Sequence, residues 1–333
     1  MDAEKKLGGF QTLLVTRLAF PDEGRSEGTA ANPSFVYEVR LNRPKQRNAF
    51  NREFWEEFRE CFDILDILPS CRCIVVTAEG PVFTAGIDLA LAAEQLTGKP
   101  LLPRRQRARE RAETSKSNWD AEENMEDSTE KPDRARIAAS LRRTITKFQD
   151  CFTSLEKCSK PIIVCIGGPC VGAGVDLICS CDIRVASKNA WFSVKEVDIG
   201  LAADVGTLQR LPRIVGNDSW VREICYTGRR FDAEEAKRQG LLSKLVESED
   251  EMRKKAVALA HDIAAKSPVA VSGIKFALNY TTRRTVEDEL RVQAIWNAAM
   301  LQTNDIPVSM SLQSMQRGSR SGSPDTGHAF ACL

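Results

Sequence analysis

Apolar runs of strand length alternate with helical stripes along this chain, and that alternation is what most restricts its fold. "FVYEVRLNRP" (35–44) and "CIVVTAEG" (73–80) are β-rich runs closed by turn residues, and both read as strands. Between them Phe54, Trp55, Phe58, Cys61, Phe62 and Leu65 recur at the spacing of an amphipathic helix. The pattern returns with Ile137, Leu141, Ile145, Phe148, Phe152 and Leu155, followed by the strand-like "PIIVCIGG" and "CDIRVAS". Strands separated by such helices predict an α/β architecture.

The 333 residues divide into an N-terminal extension (1–32), a core (33–265), a C-terminal helical region (266–313) and a flexible tail (314–333). The core is interrupted over 94–135 by a densely charged segment, basic first and then acidic. It reads as a solvated insertion or, alternatively, as a basic arm for RNA or a partner. Lys plus Arg (47) nearly balance Asp plus Glu (46), which leaves no basic field to draw in nucleic acid or a membrane surface. No apolar run approaches the roughly 18 residues of a membrane span, so none is expected. Eleven cysteines, several inside apolar runs, fit a reducing intracellular compartment. Cys71 and Cys73, like Cys179 and Cys181, lack the second pair or the histidine of a zinc site, so no metal is expected. The opening "MDAEKKLGGF" carries acids where a signal or transit peptide is basic or acid-poor.

His261 and His328 are the only histidines, one in a helical run and one in the Gly/Ser tail, so acid–base work falls to carboxylates. In "VKEVDIGLAADVGTLQRLP" (194–212), Glu196, Asp198 and Asp204 stand among Val197, Ile199, Leu201, Ala203 and Val205. Acids in such surroundings cost free energy unless they are partnered or used. An ion pair with Arg210 or Arg213 is the partnered alternative for Glu196 and Asp204, while Asp198 and Asp182 are expected to be structural. Two glycine-bearing turns follow strands: "FTAGIDL" (83–89) and "GGPCVGAGVDL" (167–177). Gly167, Gly168, Gly172 and Gly174 lack Rossmann or P-loop spacing. Small residues nevertheless leave backbone N–H groups open to a ligand, and two such turns brought together make an oxyanion hole.

"RPKQRNAF", "FTAGIDL", "GGPCVGAGVDLICSCDIRVAS" and "FSVKEVDIGLAADVGTLQRLP" occur in the order of the motifs of the enoyl-CoA hydratase/isomerase (crotonase) superfamily, which the chain resembles over about residues 33 to 303. The last motif is most similar to the dienoyl-CoA isomerase branch. The resemblance implies a spiral of ββα turns, with C-terminal helices that pack on neighbouring subunits into homotrimers or homohexamers. It implies an acyl-CoA thioester held between the N–H groups of Ile87 and Ala173, the latter at a position where the family usually has glycine.

For the chemistry, the resemblance implies isomerisation of a 3,5-dienoyl-CoA to the 2,4-dienoyl-CoA in fatty acid β-oxidation. Asp204 would take the C2 proton, Glu196 would supply the C6 proton, and Asp176 would lie beside them. The CoA half would be met by Lys45, Arg47 and Ala49, by the turn Ala85, Gly86, Ile87, Asp88 and Leu89, and by Lys275 reaching a phosphate of a neighbouring subunit's ligand. No separate cofactor is required. Two alternatives remain: an enoyl-CoA hydratase, whose pattern has glutamate at the position of Asp176 and no acid at that of Asp204, and a non-catalytic CoA- or RNA-binding relative. The ending "ACL" resembles the peroxisomal address Ser-Lys-Leu without its basic residue, so a peroxisome or similar organelle is expected, with the mitochondrion as alternative.

Overall fold

The computed structural model describes residues 2–19, 34–91, 133–280, 285–318 and Phe330. Its spine is a six-stranded sheet, in order β1 (Leu13–Arg17), β2 (Val36–Leu41), β3 (Cys73–Ala78), β4 (Ile162–Ile166), β6 (Ile183–Ser187) and β9 (Lys244–Val246). β1 runs antiparallel to β2, with Leu13 opposite Leu41, and every other junction is parallel. A smaller sheet holds β5 (Cys170–Val171), β7 (Trp191–Ser193) and β8 (Phe231–Asp232). The helices are α1 (Asp2–Leu7), α2 (Arg52–Ile67), α3 (Arg134–Lys157), α4 (Ala173–Ser180), α5 (Thr207–Val215), α6 (Asp218–Thr227), α7 (Ala233–Arg238) and α8 (Glu249–Ala264). Three more close the chain: α9 (Pro268–Tyr280), α10 (Val286–Met300) and α11 (Asp305–Gly318). Thus β4, β5 and α4 follow one another as a strand in the large sheet, a strand in the small one and a helix, the expected ββα turn.

Strand periodicity decides what each face of the large sheet buries. Ile74, Val76, Ile162, Val164 and Ile166 join one core, shared with α2 and α3. Cys73, Val75, Ile163 and Cys165 point the other way and pack under Met252, Ala256 and Ala260 of α8. α2 starts where the Asn51 side chain accepts the Phe54 N–H at 3.1 Å, capping its first turn. Its apolar stripe then meets that of α3: Trp55 stacks on Phe148 at 4.3 Å between centroids, and Phe58 meets Phe152 edge-on at 6.0 Å. Full burial of each such ring stabilises the fold by about 1.5–3 kcal/mol. The stripe on α3 is buried only toward its end; Phe148, Phe152 and Leu155 are inside, whereas Ile137 is exposed.

Two boundaries differ from the sequence expectation. Residues 2–17 are not an appendage: β1 is the edge strand of the large sheet, Leu7 and Leu13 are buried, and Glu57 of α2 accepts the Gln11 and Thr12 N–H groups, each at 2.8 Å. The alternation in "LLVTR" is short, yet it fits the open side of β2. At the other end, α11 continues past residue 313, and Phe330 is buried, its carbonyl accepting from Arg72 at 2.6 Å. The rest of the tail from 319 and the charged insertion over 94–132 lie outside the described residues; at 133, Asp133 caps α3 by accepting the Arg136 N–H at 2.9 Å.

Lys275 corrects a second expectation. It is buried on α9, and its ammonium donates to Leu155 O at 2.9 Å, Lys160 O at 3.0 Å and Asp182 Oδ2 at 2.8 Å. All three donors are used inside the subunit, so none is left for a ligand phosphate. The same Asp182 oxygen accepts the Ile162 N–H at 2.7 Å, which ties α9 to the start of β4. Replacing Lys275 with Met strands these acceptors; we expect a loss on the order of 2–3 kcal/mol, read as a lower denaturant midpoint at unchanged slope.

Candidate active site

The ends of β3 and β4 bring the two glycine turns together. Thr84 forms a parallel bridge with Cys170: its N–H donates to Pro169 O at 3.1 Å, and its carbonyl accepts the Val171 N–H at 3.1 Å. A second bridge joins Phe50 and Ile87, with the Phe50 N–H on Gly86 O at 2.8 Å and the Asp88 N–H on Phe50 O at 3.0 Å. Because this bridge uses the neighbours of Ile87, the N–H of Ile87 itself faces away from Phe50. It donates to no acceptor among the described residues. The Ala173 N–H opens α4, where a first-turn donor has no helical partner, and it too is untaken among the described residues.

Gly86 lets these donors converge. It has φ +83°, and a Cβ on it would lie 2.7 Å from Val171 O and 3.2 Å from Ala173 N, so the two turns touch backbone to backbone. Asn48 fixes the first turn from below. Buried and left-handed at φ 53°, it donates to Glu79 O at 2.9 Å and Val82 O at 2.8 Å, and its carbonyl accepts from Thr84 Oγ1 at 2.7 Å.

Three carboxyls cluster on the Ala173 side of this pair of donors. Asp176, on α4 one turn beyond Ala173, is wholly buried; its Oδ1 accepts the Thr207 N–H at 2.5 Å, and its Oδ2 has no partner among the described residues. Glu196 begins a short 3-10 turn after β7. Its Oε1 lies 3.5 Å from where a Gly172 Cβ would stand, next to Ala173, and its buried Oε2 is likewise unpartnered among the described residues. Asp204 is half-buried in the irregular segment leading to α5. Burial pushes Asp176 up to about 6, against the pull of the Thr207 N–H. Burial also pushes Glu196 up to about 7, helped by repulsion from Asp176 and then Asp204. Asp204 is raised by burial, its own N–H opposing.

An apolar cavity of about 440 Å³ opens beside Glu196, walled by Val194, Leu201, Ala203, Leu208 and Cys225. Arg210 does not pair with Glu196 or Asp204: its guanidinium binds Glu156 at 2.7 and 3.0 Å. Asp198 is exposed and pairs with Lys195. Lys45 and Arg47 are exposed on the turn after β2, and the Arg47 carbonyl accepts the Ala85 N–H at 2.9 Å, which joins that turn to the donor-bearing one. Ala49 is half-buried, its carbonyl taken by Arg43, and Asp88 lies 3.7 Å from the same guanidinium. Leu89 is exposed at the rim.

The structure thus brings together Ile87, Ala173, Asp176, Glu196 and Asp204, with Ala85 and Gly86 in the donor turn, and leaves Lys275 outside. Sequence reasoning missed Asn48, Thr207 and Cys225. Asn48 had a signal, since asparagine is one of the few side chains that tolerate a left-handed turn; the other two are placed only by the fold.

A family model for enoyl-CoA hydratase/isomerase matches residues 31–113 and 131–317, and the chain belongs to that family. Among curated relatives, the mitochondrial delta(3,5)-delta(2,4)-dienoyl-CoA isomerase of Mus musculus is 44% identical over 286 residues, covering 86% of this chain and 78% of that protein. The mitochondrial enzyme of the same name from Homo sapiens is 42% identical, covering 83% of this chain and 75% of that protein. The peroxisomal one from Arabidopsis thaliana is 38% identical, covering 86% and 92%. Of solved structures, a putative enoyl-CoA hydratase from Thermobifida fusca YX in complex with acetoacetyl-CoA superposes with a TM-score of 0.66 at 25% identity, covering 89% of this chain and 97% of that one.

The raised acids make stability pH-dependent in a definite sense. A carboxyl whose folded pKa lies above its unfolded value favours the fold while protonated and loses that contribution as pH rises. For Glu196 the window runs from 4.5 to about 7, and for Asp176 from 3.8 to about 6. We expect Glu196→Gln to melt above the wild type at pH 8 and the difference to shrink below pH 5, as measured by thermal unfolding across that range.

Proposed function

We propose that this chain isomerises 3,5-dienoyl-CoA thioesters to 2,4-dienoyl-CoA in fatty acid β-oxidation. The observation that carries this reading is the presence of two separate raised acids, Glu196 and Asp204, near a pair of N–H donors that are untaken among the described residues. A hydration needs its water held at one place, whereas moving a proton from C2 to C6 needs groups at both ends of a conjugated chain. The relatives' activity, at 38–44% identity, supports the same assignment.

In this reading the thioester oxygen sits between the N–H groups of Ile87 and Ala173. Asp204 takes the C2 proton, and the electron pair spreads from the thioester oxygen to C2, C4 and C6. Fixed donors stabilise that charge without the reorganisation water would need. Glu196, with a pKa of about 7, holds a proton near neutrality and gives it to C6. The double bonds then stand at C2 and C4, conjugated with the carbonyl. Burial keeps Glu196 protonated, Asp176 adds its repulsion, and Asp176 also holds the start of α5 through Thr207. The thioester is its own electron sink, so the reaction asks for no separate cofactor.

Lys45 and Arg47 are exposed cations at the mouth, suited to the CoA phosphates. Oligomerisation through the C-terminal helices is supported by their uncovered apolar side chains, among them Leu278, Leu290 and Ile295, each at least 64% exposed. The relatives are mitochondrial or peroxisomal, and one of these organelles is the proposed site of action. No helix among the described residues is long and apolar enough to cross a membrane.

Purified protein offered a 3,5-dienoyl-CoA should form conjugated 2,4-dienoyl absorbance, with no comparable hydration of a 2-enoyl-CoA; the reverse preference would overturn the reading. Asp204→Asn should abolish exchange of the C2 proton with solvent deuterium, while Glu196→Gln should block delivery to C6 and keep partial C2 exchange. Each loss of turnover should be on the order of 10² to 10⁴. Gly86→Ala should cut turnover by at least about 10², because a Cβ there forces the two turns apart.

A further inference from the structure

Asp204 has the least local support of the three acids. No side chain among the described residues donates to its carboxylate, and residues 201–204 form no helix or strand. Its direction is therefore set by how the backbone of 204–207 is held. Three side chains among the described residues hold it. Gln149 Nε2 donates to Asp204 O at 2.7 Å, Arg210 Nη1 donates to Val205 O at 3.2 Å, and the Thr207 N–H donates to Asp176.

The Arg210 guanidinium is itself locked. It meets Glu156 through Nε at 2.7 Å and Nη2 at 3.0 Å, and Nη2 also donates to Thr153 Oγ1 at 3.1 Å. Only 13% of the Arg210 side chain is exposed. It occupies the space a side chain at 206 would need, since a Cβ on Gly206 would lie 1.7 Å from Nη1, and Gly206 has φ +138°. Gln149, Thr153 and Glu156 follow one another at helical spacing along α3, so one polar face of that helix grips the segment from the side.

The geometry points to Glu156 and Arg210 as positioning residues for Asp204: a forked ion pair, seated on α3, that sets the aim of the acid without touching the substrate. The inference rests on the proposed role of Asp204. A planar fork reaches Glu156, Thr153 and the carbonyl of 205 at once; an ammonium has its three donors on a single atom, cannot span acceptors spread along the fork, and leaves the carbonyl of 205 free to move. Displacing a reacting group by about an ångström costs on the order of 10²-fold in rate.

The test measures kcat and KM on a 3,5-dienoyl-CoA for Arg210→Lys, Glu156→Gln and Gln149→Ala, each alone and combined with Asp204→Asn. Circular dichroism and thermal unfolding serve as folding controls. With Asp204 present, Arg210→Lys and Glu156→Gln should lower kcat by roughly 10- to 100-fold, with KM within about threefold. In the Asp204→Asn background the same changes should alter the residual rate by less than about twofold, because the group they aim is gone. If an ion-pair variant does not fold, Gln149→Ala, at an exposed side chain holding the same segment, reads the same effect. Near-native kcat in the folded variants, or losses that multiply in full on Asp204→Asn, would overturn the inference while the proposed reaction stands. Full activity of Asp204→Asn alone would overturn the proposed reaction and, with it, this role.

Discussion

Everything chemical in this structure depends on the contact of two backbone turns at Gly86. Its missing side chain lets the carbonyl of 171 come within a distance that any Cβ would forbid, and the amide of 173 within one that a Cβ would crowd. The bridges Thr84 to Cys170 and Phe50 to Ile87 then fix the approach from both sides. Both turns hang from adjacent parallel strands of the large sheet, β3 and β4, whose register is set by cores on both faces. A donor pair held this way does not relax when charge develops, which is the property that makes such a pair catalytic.

The same rigidity explains why the fold tolerates its unpaired acids. Asp176 and Glu196 each keep one buried oxygen without a partner among the described residues, a cost that a freely moving segment would escape by turning the group to water. Here Asp176 is fixed on α4 and Glu196 on a 3-10 turn, so the cost appears as raised pKa values. Raised values also let carboxyls exchange protons near neutrality, so stability is given up at the positions where the proposed proton transfer would need it.

The strands and helices of the core were legible because burial on two sheet faces imposes period two, and the stripes on α2 and α3 impose the helical period. β1 was missed: five residues with one buried edge leave too little pattern. The acids were legible as charges in apolar company, and the donor turns as glycines after strands. Lys275 was misread because a lysine on a helix says nothing of its depth, and only the fold shows three acceptors waiting for it. Glu156 was invisible for the opposite reason. Its charge sits on an ordinary polar face, and its partner lies 54 residues away.

That separation bears on how the site divides its labour. Asp176 and the Ala173 donor share α4, and Glu196 lies against the residue that starts it, so these groups are located by one helix and its approach. Asp204 belongs to a different class of support, an irregular segment tied by Gln149 and Arg210 to α3 and by Thr207 to Asp176. A loop residue can be re-aimed by small changes in its anchors without disturbing the two donor-bearing turns. In the proposed reaction, the base would then be fitted to a position along the acyl chain independently of where the thioester is held.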